Sequence, residues 1–168
     1  MLPCKRIRAS LWLSGLACAA LPPAVLAVDA ACKPILDANR AKFAAPALHD
    51  KKFDPKQPGV PFAEFIKVGK DAWMKAENQW MKISPGMLQT MQNFDPDGFG
   101  MHNCKLIGPG LAGTRPAKIY TWDLKVAGKR YTGSKVWIGL DGLPYKEAGD
   151  GYTGTMSYTG VVAPKAGT

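Results

Sequence analysis

Short segments of alternating apolar and polar residues, separated by tight turn signals, fill most of this chain from residue 62 onward. In residues 117–126, Tyr120, Trp122 and Leu124 share one face of an extended chain, and polar residues occupy the other. Asp141-Gly142 is a strong signal for a two-residue hairpin. Because no helix regularly separates consecutive strands, the sheet should be antiparallel and the fold α+β. The pattern predicts strands over residues 62–68, 72–76, 80–83, 117–126, 130–140, 143–148 and 155–162.

Two segments have a helical rather than an alternating pattern. Residues 31–45 contain no glycine and place Ile35 and Leu36 on a ragged helical stripe. A second, shorter helix is predicted over residues 85–94, with proline at its first position. Residues 46–61 contain four prolines and mixed charges, so we expect a loop there.

The N-terminus has the three parts of a secretory signal peptide. Basic residues within positions 5–8 are followed by the apolar residues 9–20, and Val25-Leu26-Ala27 supplies small residues at a cleavage site. The pattern predicts that residues 1–27 are removed and that residues 28–168 form a single mature, β-rich domain in the periplasm. An uncleaved membrane anchor is the alternative, but the apolar run is shorter than the roughly 20 residues that a spanning helix needs.

Charge and cysteine content narrow the class of protein further. Cleavage removes three of the 22 basic residues and none of the 13 acidic ones, which leaves a net charge of +6. This excess suits contact with an anionic membrane surface, and it suits ordinary solubility equally well. Cys32 and Cys104 remain in the mature domain, and an even pair in an oxidising compartment predicts a disulfide bond between them.

Methionines and tryptophans are concentrated in the middle of the chain. Five methionines fall between residues 74 and 101, and four tryptophans are spread along the predicted strands. A methionine lining can repack around an acyl chain of variable shape with little strain. The same residues would also serve to fill an ordinary core, and that alternative stays open. The candidates to line or rim a ligand cavity are Trp73, Met74, Trp80, Met81, Met87, Met91, Trp122 and Trp137.

Residues that could carry chemistry are few. Met87, Met91, Met101 and His102 are soft donors of the kind that bind Cu(I), but their spacing fixes no coordination geometry. Neither His102 nor His49 has a serine or cysteine partner at an interpretable spacing, and no phosphate-binding loop is present. No basic stripe with interleaved aromatic residues indicates nucleic acid. The sequence therefore predicts a protein that is not an enzyme and that needs no metal or other cofactor.

Three stretches of the sequence resemble periplasmic lipoprotein-carrier-like domains. They are the meander of residues 64–81, the hairpin of residues 135–146 with its Leu143-Pro144 step, and the closing segment of residues 156–164. The order of helix, meander, helix and hairpins is similar too, over most of residues 31–164. The resemblance implies a curved antiparallel β half-barrel of about seven or more strands, with one or two helices covering its concave face. It also implies that the concave side holds acyl chains.

These patterns lead to two main hypotheses from different classes, with a periplasmic Cu(I)-binding protein as a third that requires Met87, Met91, Met101 and His102 to converge. The first is a non-enzymatic periplasmic protein that binds a lipid or another hydrophobic small molecule in the cavity of a half-barrel. The second is a module that binds an envelope protein through its sheet edge or its basic surface, with no ligand inside. A cavity between helix and sheet favours the first hypothesis, and an exposed apolar patch without a cavity favours the second.

Overall fold

The computed structural model describes residues 30–76, 78–92, 100–126 and 128–165, and the predicted signal peptide lies outside them. Within this part of the chain, nine strands form one sheet that two helices accompany. The helices are α1 (Lys33–Ala44), which follows a 3-10 turn at Ala30–Cys32, and α2 (Pro85–Gln92). The strands are β1 (Ala47–Phe53), β2 (Pro61–Val68), β3 (Asp71–Ala76), β4 (Gln79–Lys82), β5 (His102–Ala112), β6 (Arg115–Val126), β7 (Lys129–Gly139), β8 (Pro144–Gly149) and β9 (Tyr152–Ser157).

The sheet is antiparallel throughout, and its two edges are open. The strand order is β4-β3-β2-β1-β9-β8-β7-β6-β5, so β4 and β5 are the edge strands. Two meanders, β1 to β4 and β5 to β9, meet where β1 pairs with β9 and Asp50 lies opposite Met156. The α+β class and the curved antiparallel half-barrel predicted from the sequence are therefore confirmed.

Two strands lie where the sequence pattern does not predict them. The predicted loop over residues 46–61 is wrong at Ala47–Phe53, which forms β1. Two inward-facing positions of β1 hold the charged residues Asp50 and Lys52, so the apolar alternation that marks a strand is missing. Edge strand β5 contains Pro109 between two glycines. Proline and glycine are typical of turns, so the sequence pattern does not indicate a strand there.

Helix α1 lies against the concave face of the sheet and contributes to both parts of the core. Pro34 is tolerated in its first turn, because backbone N–H groups there have no partner within the helix. Ile35 and Leu36 are buried in one cluster, and Phe43 is buried in the other. The first cluster contains Cys32, Ile35, Leu36, Ala38, Cys104, Val136 and Ile138, and the second contains Phe43, Leu48, Phe65, Ala72, Ile83, Leu88 and Met156.

A disulfide bond fixes the start of α1 to the edge of the sheet. It joins Cys32, just before the helix, to Cys104 on β5, with the two Cα atoms 5.0 Å apart. Both cysteines are buried in the first core cluster. The bond therefore holds the helix against the far meander of the sheet. In the described part of the chain, neither helix has the length and apolar character required to cross a membrane.

Candidate functional site

Three cavities lie around α1, between the helix and the sheet. The first cavity, about 370 Å³, is bounded by α1 and by β6 and β7, with Tyr120 and Ile138 in its wall. The second, about 160 Å³, lies between α1 and Trp122, Leu124 and Val136. The third, about 270 Å³, is bounded by α1, by β1 to β3 and by Met91 of α2. The concave face is therefore covered by a helix but is not filled.

Two side chains of α1 each border two of the three cavities. Ala38 lines both the first and the second cavity, and Lys42 lines both the second and the third. Ala38 and Ala41 have small side chains, so the helix leaves space above the sheet that larger residues would fill. The three cavities are therefore neighbouring spaces beneath one helix.

The third cavity has an apolar wall and a charged wall. Phe43 and Phe65 contact each other edge to face, with ring centroids 5.9 Å apart, and Met74 and Met91 complete the apolar lining. Lys42, Asp50 and Lys52 are also among its lining residues. A cavity with both kinds of wall suits a molecule that is itself apolar at one end and polar at the other.

The charged wall belongs to a buried ionic network of four residues. Lys42 donates a hydrogen bond of 2.5 Å to Asp50 Oδ2, and Lys52 Nζ lies 3.2 Å from Asp50 Oδ1. Lys52 also forms an ion pair with Glu147 of β8. Gly154 makes room for this pair, because a Cβ atom there would lie 2.7 Å from Glu147 Cγ. We call Lys42, Asp50, Lys52 and Glu147 the concave ionic network.

Burial and pairing shift the pKa values in this network. Burial alone would raise the pKa of Asp50, but the nearby charges of Lys42 and Lys52 outweigh it and the pKa is lowered. Burial lowers the pKa of Lys52 to about 8, even though the charge of Asp50 favours its protonated form. Burial and the charge of Asp50 raise the pKa of Tyr152, whose ring lies under the Lys52 ammonium. Two lysines and two carboxylates therefore form ion pairs at the centre of the concave face.

Of the eight side chains predicted as a ligand-cavity lining, three lie in the walls of these cavities. Met74 and Met91 lie together in the wall of the third cavity, and Trp122 lies in the second. Met81, opposite Met74 on edge strand β4, is 54% exposed, and Met87 on α2 is 49% exposed. Neither Met81 nor Met87 is among the residues that line the three cavities.

The other three predicted residues, all tryptophans, point away from the cavities. Successive residues of a strand face opposite sides of the sheet. Met74 faces the helix, so its neighbour Trp73 faces the convex side, and Trp80 lies on that side too because it pairs with Lys75. Val136 is buried on the helix side, so Trp137 is convex. The eight predicted residues include sequence neighbours such as Trp73 and Met74. Because neighbours on a strand face opposite sides of the sheet, one cavity cannot be lined by both.

The concave ionic network is the part of the site that the sequence pattern does not reveal. Lys42 lies on a helix, Asp50 and Lys52 lie in the predicted loop, and Glu147 is far along the chain. Nothing in their spacing indicates that they meet. Of the available signals, a proline-free stretch between Pro46 and Pro55 is the one that could have indicated a strand at β1.

The four residues considered for Cu(I) are not brought together. Met91 packs against the second core cluster and Met101 against the first, while Met87 is half exposed. His102 Nδ1 lies 2.7 Å from the carbonyl oxygen of Gly100. Among the described residues, no group of three or more His, Cys, Asp or Glu side chains is arranged to hold a metal ion.

Comparison with known proteins finds similarity in structure at low sequence identity. No family model matches the sequence, and no curated protein matches it significantly. Among solved structures, the chain is similar to the Mycobacterium tuberculosis lipoprotein LppX, with a TM-score of 0.48 and 13% identity over 81% of this chain and 97% of that one. It is also similar to the Pseudomonas aeruginosa MucA/MucB complex, with a TM-score of 0.44 and 17% identity over 82% of this chain and 61% of that one.

The chain is also similar to a third solved structure. It is a LolA superfamily protein from Nitrosomonas europaea, with a TM-score of 0.33 and 10% identity over 82% of this chain and 95% of that one.

Proposed function

We propose that this protein is an exported, non-enzymatic binding protein that holds an apolar or amphiphilic small molecule between α1 and the concave face of its sheet. The observation that supports the proposal is the group of three neighbouring cavities around one helix, with aromatic and methionine side chains in their walls. The two larger cavities are near the lower end of the range of about 300 to 1,000 Å³ that is usual for ligand pockets. This size favours a ligand with a single narrow chain.

The third cavity indicates how an amphiphile would be oriented. Its apolar part would contact Phe43, Phe65 and Met74, where thioether and ring surfaces adapt to an alkyl chain. Its polar group would lie toward Asp50, whose Oδ1 atom accepts no hydrogen bond from the described residues although Lys52 is close. A hydroxyl or ammonium donor on the ligand would satisfy that oxygen.

Native mass spectrometry of the protein purified from the periplasm, followed by denaturing lipid analysis, tests the proposal directly. We expect a bound amphiphile at close to one molecule per chain. After its removal, a fluorescent fatty-acid analogue should bind, and Met74→Trp should weaken binding at least tenfold by filling the third cavity. Met87→Trp, on the exposed side of α2, is the matched control. An empty protein that also fails to bind the analogue would refute the proposal.

A protein-interaction module is the second candidate, and edge strand β5 is the observation that favours it. Leu106, Ile107 and Leu111 on this strand are each more than half exposed. Pro109 and the irregular register limit how long another strand could pair there. A photo-crosslinking residue at position 111 should give one discrete adduct in the periplasm if this interpretation is right, and the same residue at Val162 should give none.

Export itself is part of the proposal and has its own test. The chain should be cleaved after Ala27, so the intact mass of the periplasmic protein should match residues 28–168 less two hydrogens for the disulfide. N-terminal sequencing should begin at Val28. A protein that keeps residues 1–27 in the membrane fraction would refute this part of the proposal.

A further inference from the structure

The convex face of the sheet has an ordered arrangement of tryptophan and lysine side chains. Residues that pair across neighbouring strands share a face, so the strand registers define rows that run across the sheet. One row crosses eight of the nine strands without interruption. Its members, from β4 to β6, are Trp80, Lys75, Glu64, Lys51, Thr155, Lys146, Trp137 and Ile119.

Three cross-strand pairs place a lysine ammonium near an indole ring on this face. Lys75 Nζ lies 5.9 Å from the ring centroid of Trp80, and Lys146 Nζ lies 4.7 Å from that of Trp137. In the neighbouring row, Lys82 Nζ lies 5.9 Å from the ring centroid of Trp73. Each pair presents a large amphipathic ring and a cation at the same point of the surface.

Lysines outnumber carboxylates on this face, where Lys82 forms an ion pair of 2.7 Å with Asp71. The carboxylate within these rows, Glu64, forms an ion pair of 3.0 Å with Lys75 and lies 2.9 Å from His49 Nε2. Lys51 and Lys146 continue the same row toward the centre of the sheet. A third row, on the other side of the first, pairs Lys135 of β7 with Thr121 of β6 and Thr121 with Lys105 of β5. Together the three rows contain six lysines, which are Lys51, Lys75, Lys82, Lys105, Lys135 and Lys146.

We infer that this convex Trp–Lys face, defined by the three rows, is a docking surface for an anionic lipid membrane. Indole rings are favoured at the level of lipid headgroups, where the ring is buried and its N–H stays wet. Lysine side chains lay their alkyl stems along apolar surface and place the ammonium among phosphates. Phe62, which lies two residues before Glu64 on β2 and is 62% exposed, adds a further apolar contact. A protein partner would need a complementary negative surface that extends across eight strands of the sheet.

Docking by this face leaves the concave cavities and α1 away from the lipid. The inference therefore does not depend on the proposed ligand. A variant that loses membrane binding should keep its affinity for a fatty-acid analogue, and a cavity-filling variant such as Met74→Trp should keep its affinity for membranes. The membrane docking and the proposed ligand binding can therefore be refuted independently.

Vesicle flotation with the exported protein tests the inference. We expect binding to vesicles of phosphatidylcholine and phosphatidylglycerol at 7:3, little binding to phosphatidylcholine alone, and weaker binding as salt increases. Tryptophan emission should shift to shorter wavelength on binding. Lys51→Glu with Lys146→Glu should reduce the partition coefficient at least tenfold. Lys56→Glu with Lys70→Glu, which makes the same charge change in exposed turns, is the control.

A second variant separates charge from ring insertion. Trp80→Ala with Trp137→Ala should abolish most of the emission shift and weaken vesicle binding severalfold, while thermal unfolding checks that each variant is folded. Equal binding to neutral and anionic vesicles would overturn the inference. So would equal losses for the Lys51/Lys146 and Lys56/Lys70 pairs, since net charge rather than this face would then govern binding. Vesicle binding that survives the Lys51/Lys146 reversal, with loss of a protein adduct instead, would assign the face to a protein.

Discussion

Replacing Asp50 by asparagine should destabilise the fold far more than the change of one oxygen suggests. The side chains of Asp50 and Lys42 are only 8% and 10% exposed, and Lys52 is 24% exposed. The wild-type concave ionic network has two cations and two anions, so its net charge is zero. Asp50→Asn leaves one buried cation unbalanced, and removing one partner of a buried ion pair typically costs about 3 to 5 kcal/mol. For a domain of this size, that corresponds to a fall in melting temperature of roughly 10 °C or more.

A control and a compensating variant make this prediction specific. Asp37 forms ion pairs on the exposed side of α1, with its side chain 46% exposed, so Asp37→Asn should cost at most about 1 kcal/mol. Lys42→Met combined with Asp50→Asn restores a net charge of zero and should recover part of the loss. Urea denaturation with the disulfide intact measures all three variants. Equal losses for Asp50→Asn and Asp37→Asn, or a double variant less stable than Asp50→Asn alone, would refute the reasoning.

Three further predictions follow from the structure. Replacing Cys32 and Cys104 by serine should lower the free energy of unfolding by about 4 kcal/mol on the chain-entropy model, because the bond closes a separation of 72 residues; chemical denaturation of the double variant checks this. Lys52 should titrate near pH 8 in a ¹⁵N NMR titration, and Asp50→Asn should lower its pKa further. Because the folded protein binds this proton more weakly than the unfolded chain, this group alone makes the free energy of unfolding rise between pH 8 and 10.5. Leu48→Ala should cost about 2 to 5 kcal/mol in the same denaturation assay, because Leu48 is fully buried.

The sequence predicts the fold correctly where the residues of a strand alternate between an apolar inner face and a polar outer face. Strands β6 and β7 have that alternation, and the Asp141-Gly142 turn separates β7 from β8. Strand β1 does not, because its inward positions include Asp50 and Lys52. Those charges are tolerated inside only because Lys42 of α1 and Glu147 of β8 form ion pairs with them. Such pairs depend on how distant elements pack, which a local sequence pattern does not show.

The candidate site was harder to predict than the fold for a related reason. A strand pattern shows which residues share a face, but it does not show which face the helix covers. Met74 and Met91 meet in a cavity because α1 and α2 both lie on one side of the sheet. Trp80 and Trp137 are just as aromatic and periodic as Trp122, yet they lie on the opposite side. The tertiary placement of α1 decides between these outcomes.

The pairing of β1 with β9 has a consequence for how the chain reaches its native state. Strands β1 to β4 can form hairpins between near neighbours, and so can β5 to β9, but the seam at the middle of the sheet joins the first strand to the last. Loop closure over such a distance makes folding slow compared with local pairing. Until β9 has emerged, β1 and β8 each present an unpaired edge that can associate with other chains. We therefore expect assembly to finish only after the last strand, β9, is available, and the period before the seam closes to be the time when this protein most needs a chaperone.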